Sequence, residues 1–181
     1  MNIAGEYQID APREVVWQAL NDPEMLKKCI PGCESLEKLS DTEFEAKVTA
    51  ATGPVRARFN TRLRLEDLDP PAGYRLVGES KAAAGFGSGS ADVRLEDHGG
   101  GTVLKYDADF KVGGKLAQVG SRLVLGATKK TADDFFGAFS REIDPGALRV
   151  EPEGEKPSGY GPWLAIGGAI LVLLILWILL R

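Results

Sequence analysis

From Val55 to Leu65 the chain alternates without a break: Val55, Ala57, Phe59, Thr61, Leu63 and Leu65 fall on one side, Arg56, Arg58, Asn60, Arg62 and Arg64 on the other. Successive side chains of a strand point to opposite faces, so this pattern fits a strand with one buried and one wet face and does not fit a helix. Residues 44–50 repeat it, with Phe44, Ala46, Val48 and Ala50 opposite Glu45, Lys47 and Thr49. Further strands are expected at 2–9, from Tyr74 to about Ser80, at Ala91–Glu96 and at Val103–Val112. In the last of these, Leu104, Tyr106, Ala108 and Phe110 share a face. Asp69-Pro-Pro-Ala-Gly73 and Asp97-His-Gly-Gly-Gly101 supply turns. Strands joined by short turns, each wet on one side, make an antiparallel sheet.

Three helices complete the domain. Pro12 suits a first helical turn with Asp10 close to a cap position, and Val15, Val16, Ala19 and Leu20 give a stripe. Asp22-Pro23 starts a second short helix that ends before Pro31-Gly32. A long helix is expected from Lys115 to Glu142, with Leu116, Val119, Leu123, Ala127, Thr131, Phe135 and Phe139 as its apolar stripe. The fold class is therefore α+β: a curved antiparallel sheet around one long C-terminal helix, with two short helices between the first two strands.

Residues 1–143 suffice for one such domain. Residues 144–162 hold four prolines and four glycines and read as a flexible linker, spanning roughly 22–26 Å root-mean-square. Residues 163–180 carry no charge, and twelve of these eighteen are Leu, Ile or Val. As a helix they would reach about 27 Å, near the ~30 Å bilayer core. Their transfer near mid-bilayer favours insertion by roughly 4–7 kcal/mol. Trp163 and Trp177 would sit near the interfaces and Arg181 can snorkel, so residues 163–181 are expected to form a single-pass C-terminal membrane anchor. The first twenty residues contain Glu6, Asp10, Arg13 and Glu14 and no apolar h-region. The domain is therefore expected on the cytoplasmic side of the inner membrane.

Several function classes find no support. A formal charge of −4 gives no reason to expect nucleic acid as partner. Cys29 and Cys33 lack the C-x-x-C spacing of a redox pair and the further ligands of a zinc site, so they are expected to be reduced structural thiols. The glycine-rich stretch from Ala82 to Ala91 lacks the Gly-Lys-Ser/Thr ending of a phosphate loop. It reads as backbone that bends or comes close to something. No nucleophile motif, histidine-containing triad or metal cluster is present, and no catalytic residue is expected. The Arg56/58/62/64 stripe has two readings: a surface for anionic headgroups or an acidic partner, or a solvated face paired with Glu45, Glu79, Asp92 or Glu96.

The inward face is unusual for its small side chains: Ala46, Ala50, Ala57, Ala91 and Ala108. Either the long helix fills the space, or a pocket for an apolar ligand remains. The candidate lining residues are Phe59, Leu63, Phe86, Tyr106 and Phe110 from the sheet, with Leu116, Val119 and Leu123 from the helix and its approach.

Four stretches carry a resemblance: Cys29-Ile-Pro-Gly-Cys-Glu34, Gly53-Pro-Val-Arg-Ala-Arg-Phe59, Asp69-Pro-Pro71, and Val112-Gly-Gly-Lys-Leu-Ala-Gln-Val-Gly-Ser-Arg-Leu-Val124 followed by Phe135-Phe136. In that order they resemble the CoxG family, the G subunits of carbon monoxide dehydrogenase, within the SRPBCC (START/Bet v 1-like) helix-grip superfamily. The resemblance covers about residues 1–143. It implies a helix-grip fold with a hydrophobic cavity, no catalytic residue, and association with a molybdenum-containing oxidoreductase of the CO dehydrogenase type. It also implies recruitment of that enzyme to the lipid membrane and binding of a respiratory quinone, menaquinone or ubiquinone, with no covalent cofactor. One isoprene unit exposed to water costs roughly 3–4 kcal/mol, so a quinone crossing an aqueous gap needs a cover. The alternatives are an adaptor that recruits the dehydrogenase without quinone transfer, and a START-like lipid- or polyketide-binding protein.

Overall fold

Alternating side chains, rather than propensity alone, organise the domain into a single seven-stranded antiparallel sheet in the order β1-β7-β6-β5-β4-β3-β2. The structure, a computed structural model, describes residues 1–52, 55–115 and 117–143; of residues 50–52, 55, 56 and 119 it describes the backbone. The strands are β1 (Asn2–Ile9), β2 (Cys33–Lys38), β3 (Glu43–Thr52), β4 (Val55–Asp69), β5 (Gly73–Ala82), β6 (Gly85–His98) and β7 (Gly101–Gly114). The helices are α1 (Arg13–Leu20), α2 (Pro23–Cys29) and α3 (Ser121–Ile143), with a single 3-10 turn at Ala117–Val119.

The register carries one face across the whole sheet. Phe44 lies opposite Leu63, Leu63 opposite Gly78, Gly78 opposite Gly89, and Gly89 opposite Phe110. In the next row on the same face, Leu65, Leu76, Ala91 and Ala108 follow one another. These residues face the helices, and the intervening Arg, Glu, Asp and Lys side chains face water. Three arginines of β4 have carboxylate partners: Arg58 meets Glu34 at 2.7 Å, Arg62 meets Glu45 at 3.8 Å and Arg64 meets Glu66 at 2.6 Å, while the Arg56 side chain lies outside the described residues. Of the partners the sequence proposed, Glu45 is found, and Glu34 and Glu66 take the other two.

Several local expectations are corrected. The first helix has Pro12 as its N-cap residue and no side-chain cap, so Asp10 plays no such part; Val15 is exposed while Val16, Ala19 and Leu20 are buried. Asp22 does cap α2, accepting from the Glu24 amide at 2.9 Å. The edge strand β2 had no alternation to announce it. The glycine-rich stretch, expected to bend or come close to something, belongs to β6 from Gly85 onward, and at Gly89 it comes close to Phe110 of β7. The long helix starts at Ser121, not Lys115, and its buried face is Val124, Thr128, Thr131, Ala132, Phe135, Phe136 and Phe139. The expected stripe is right from Thr131 onward and one position off before it.

Among the described residues no helix is long and apolar enough to cross a membrane. The expected linker, residues 144–162, and the expected anchor, residues 163–181, lie outside the described residues.

Candidate functional site

The concave face of the sheet and the buried face of α3 enclose the interior of the domain. From the sheet come Tyr7 and Ile9 of β1, Tyr106, Ala108 and Phe110 of β7, Ala91 of β6, and Phe59 and Leu63 of β4, all buried. From α3 come three phenylalanines. Phe136 lies against the Tyr7 ring, with centroids 3.7 Å apart, and Phe135 meets Phe136 edge-on at 4.8 Å. Phe139 extends the cluster, 5.5 Å from Phe135. The Phe135 pairs have separations that aromatic rings favour and order the face of α3, while the close Tyr7–Phe136 contact ties α3 to β1.

The helix presents methyls rather than hydroxyls to this face. Thr128 donates back to the Val124 carbonyl at 2.8 Å and Thr131 to that of Ala127 at 3.1 Å. Within the sheet, Thr61 donates to the Ser80 hydroxyl at 2.9 Å, and Thr102 to the Ala11 carbonyl at 2.7 Å. The Tyr7 hydroxyl is different: it is buried and makes no hydrogen bond of good geometry among the described residues, with the Asp133 carboxylate beside it as an imperfectly placed acceptor. Burial, reinforced by the charge of Asp133 on α3, drives its pKa far up. Tyr106, on the neighbouring strand, is raised by the same two causes in the same order. Burial in turn raises the Asp133 carboxyl above its ordinary value, with Lys129 opposing. Two tyrosines and one carboxylate therefore form a polar spot within an otherwise apolar enclosure. Residue type alone did not flag it; the signal was a tyrosine in the inward set Ile3, Gly5, Tyr7, Ile9.

Of the candidate lining residues, the structure brings Phe59, Leu63, Tyr106 and Phe110 together on the buried face. Phe86 and Leu123 do not join them: they are 56% and 62% exposed. The Leu116 residue and the Val119 side chain lie outside the described residues. Of the two readings of the small inward residues, the burial of the described ones supports close packing around them. Ala46, Phe59 and Ala108 have 0% of their surface accessible, and Ala91 and Phe110 have 1%. At Gly89 the neighbouring strand comes close: a Cβ there would lie 2.8 Å from the Cβ of Phe110. Among the described residues an open depression of about 420 Å³ lies over β3, β4 and β5; its lining mixes Leu39, Phe44, Leu63 and Val77 with Glu43, Arg62, Arg64 and Glu79. That mixture does not suit a long apolar guest.

The cysteines are not a reactive pair. Burial pushes both thiols up to about 11. Cys29 Sγ sits 3.9 Å from Met25 Sδ, and Cys33 Sγ donates weakly to the Ser35 carbonyl at 3.5 Å. Among the described residues no group of side chains could hold a metal ion.

Comparison with known proteins bears on this geometry. A family model for CoxG, the G subunit of carbon monoxide dehydrogenase, matches residues 5–144. No curated protein matches the sequence. A conserved protein from Geobacillus kaustophilus is 30% identical, with 79% of this chain and 95% of that one covered at a TM-score of 0.75. A protein from Thermus thermophilus is 16% identical, with coverages of 79% and 97% and a TM-score of 0.61. Ara h 8.0201 is 18% identical, with coverages of 79% and 97% and a TM-score of 0.57. The last two show the fold alone. These neighbours share the Bet v 1-like, SRPBCC-type helix-grip architecture.

Proposed function

Since the chain belongs to the CoxG family, the G subunits of carbon monoxide dehydrogenase, we propose that it is a non-catalytic, membrane-tethered carrier of a respiratory quinone. It takes the quinone from the bilayer in the interior between sheet and α3 and presents it to a cytoplasmic molybdenum hydroxylase of the CO dehydrogenase type. The observation that carries this reading is the buried Tyr7 hydroxyl inside a largely apolar, aromatic enclosure, with no acceptor in good geometry and only the Asp133 carboxylate beside it. A buried hydroxyl without a well-placed acceptor costs stability, and a quinone carbonyl would supply one. Asp133 stands beside it to receive a proton-bearing quinol oxygen. The closely packed interior opens by displacement of the first half of α3, where Leu123 and Gly126 are exposed. Residues 163–181 hold the domain at the membrane.

A second reading has its own support. The side chains around Ala46, Phe59 and Ala108 leave no accessible surface, as in a docking adaptor that recruits the dehydrogenase and carries nothing. Organic extraction of the purified full chain followed by mass spectrometry separates the two. A quinone recovered in proportion to protein supports the carrier. An extract free of quinone, from protein that still captures the dehydrogenase, supports the adaptor.

A further inference from the structure

The distribution of carboxylates along the chain is uneven in a way that the interior does not explain. The sequence has 26 Asp and Glu residues, yet none in 46–65, 80–91 or 110–132. Strand pairing brings parts of all three stretches to one end of the sheet. Asn60 lies opposite Lys81, Lys81 opposite Phe86, and Phe86 opposite Gly113. Beyond that row stand the β5–β6 turn and the β7–α3 connection. β3 and β4 run on toward the same end, pairing as far as Thr52 and Val55.

The turn and the connection are built as one platform. The Lys115 amide donates to the Ala84 carbonyl at 3.0 Å. Gly114 has φ +78°, and a Cβ there would come within 2.7 Å of the Gly85 Cα, so glycine is required at this crossing. The Phe86 ring lies across Gly113, where any Cβ would collide with it, and still exposes 56% of its surface. Ala82, Ala83, Ala84 and Phe86 line an open, largely apolar depression of about 440 Å³ with Lys81 and Lys115 at its rim. Leu123 is exposed on the helix that follows this connection.

The cations here are not neutralised within the domain. Lys81, Lys111, Lys115 and Arg122 have no ion-pair partner among the described residues. The carboxylates nearest in the fold are committed or set back. Glu34 holds Arg58 at 2.7 Å, and Asp109 holds the N-terminal amine at 3.3 Å. Glu79 lies opposite Arg62, one step back from the row of Lys81 on the same face. A chain of net charge −4 thus has one end that is basic, free of unpaired carboxylate and tipped with exposed apolar side chains.

We infer that this end, the β5–β6 turn with the β7–α3 connection, is the face on which the domain rests on a bilayer carrying anionic phospholipid. Lysines at the rim meet phosphate headgroups, and Phe86, Leu123 and the alanines enter the interfacial layer between them. Charge complementarity selects a membrane over an apolar protein groove. The first half of α3 then sits at the lipid surface. This assignment is independent of what the interior contains: a chain that carries no quinone would rest on the membrane in the same way.

Hydrogen–deuterium exchange of the full chain in lipid nanodiscs tests it. Discs of phosphatidylcholine alone are compared with discs containing phosphatidylglycerol. Each surface lysine contributes about five-fold to association with an anionic surface. Peptides covering 81–88 and 111–123 are expected to exchange about ten-fold more slowly in the anionic discs, with the outer surface of β3–β5 unchanged. The double variant Lys81→Glu/Lys115→Glu, and independently Phe86→Ser, should restore fast exchange, and 0.5 M salt should do so for the parent chain. A thermal melt of each variant confirms that it is folded. Equal exchange in both kinds of disc, or protection that survives charge reversal, overturns the assignment. Protection of the same peptides by an acidic protein in place of lipid also overturns it.

Discussion

Replacing Tyr7 by Phe removes one oxygen and leaves everything else in place. The ring that lies 3.7 Å from Phe136 is retained, and with it the aromatic packing that fixes α3 to β1. The oxygen itself is buried with no hydrogen bond of good geometry, the Asp133 carboxylate being its imperfectly placed neighbour. Groups left this way lose their hydration and recover little, at a cost of about 1–3 kcal/mol. Removing the group should return that amount. For a domain of this size each kcal/mol moves the midpoint by about 3–4 °C, so Tyr7→Phe should melt about 3–10 °C higher than the parent once both have been stripped of bound lipid. Circular dichroism of the full chain in detergent is sufficient. The same variant should hold less quinone, because the donor to the quinone carbonyl is gone. A parent chain loaded with quinone should therefore recover part of the difference in melting temperature, and the variant should gain less from loading. A lower or unchanged midpoint for stripped Tyr7→Phe would sink this reading of the hydroxyl. It would mean that the oxygen is already satisfied, with the Asp133 carboxylate as the obvious acceptor.

Three neighbouring groups give further tests. The Asp133 carboxyl is raised in the folded state, chiefly by burial; it therefore favours folding below its ordinary value of 3.8 and loses that contribution as pH rises through the folded value. Asp133→Asn should accordingly melt higher than the parent at pH 7, with the difference shrinking as the pH is lowered toward 4, as followed by melts across that range. Both thiols titrate near 11; at pH 8 their thiolate fraction is about a hundred-fold below that of a free cysteine, so modification by a thiol reagent should be slow in the native chain and fast in denaturant. Phe139 is fully buried against Phe135 and Phe136; Phe139→Ala should cost about 3–5 kcal/mol in a denaturant titration, by loss of transfer energy and creation of a cavity.

Period-two alternation made β3, β4 and β7 legible in the sequence, because each has one face against the core and one in water. The same rule missed β2: Cys33–Lys38 is an edge strand with Leu36 as its one buried side chain, so it carries no pattern. The glycines from Gly85 to Gly89 read as backbone that bends or comes close to something. Gly89 does come close: a Cβ there would lie 2.6 Å from the Asp109 carbonyl oxygen and 2.8 Å from the Phe110 Cβ. The helix stripe was read correctly at Phe135 and Phe139, where bulky residues leave no choice. It slipped by one at Leu123, where α3 begins later than expected and Val124 takes the inward position. Within the site, Phe59, Leu63, Tyr106 and Phe110 follow from alternation alone. Whether Ala46, Ala91 and Ala108 leave a hollow or meet a filled interior stayed open in the sequence, because alternation says which way a side chain points and not what meets it there. The poorly matched hydroxyl of Tyr7 was invisible for the same reason. It is defined by the absence of a well-placed acceptor, and only assembled neighbours reveal that.

A chain that moves quinone between bilayer and dehydrogenase must change the speed of electron delivery to the bilayer. The quantity to measure is the rate at which a purified CO dehydrogenase-type hydroxylase reduces quinone held in lipid vesicles, with and without the full chain in the same vesicles. Reduction is expected to be at least about ten-fold faster with the chain present, and Tyr7→Phe should lower the gain while leaving recruitment of the enzyme to the vesicles intact. An equal rate in both samples, with the enzyme demonstrably recruited, would rule the carrier out.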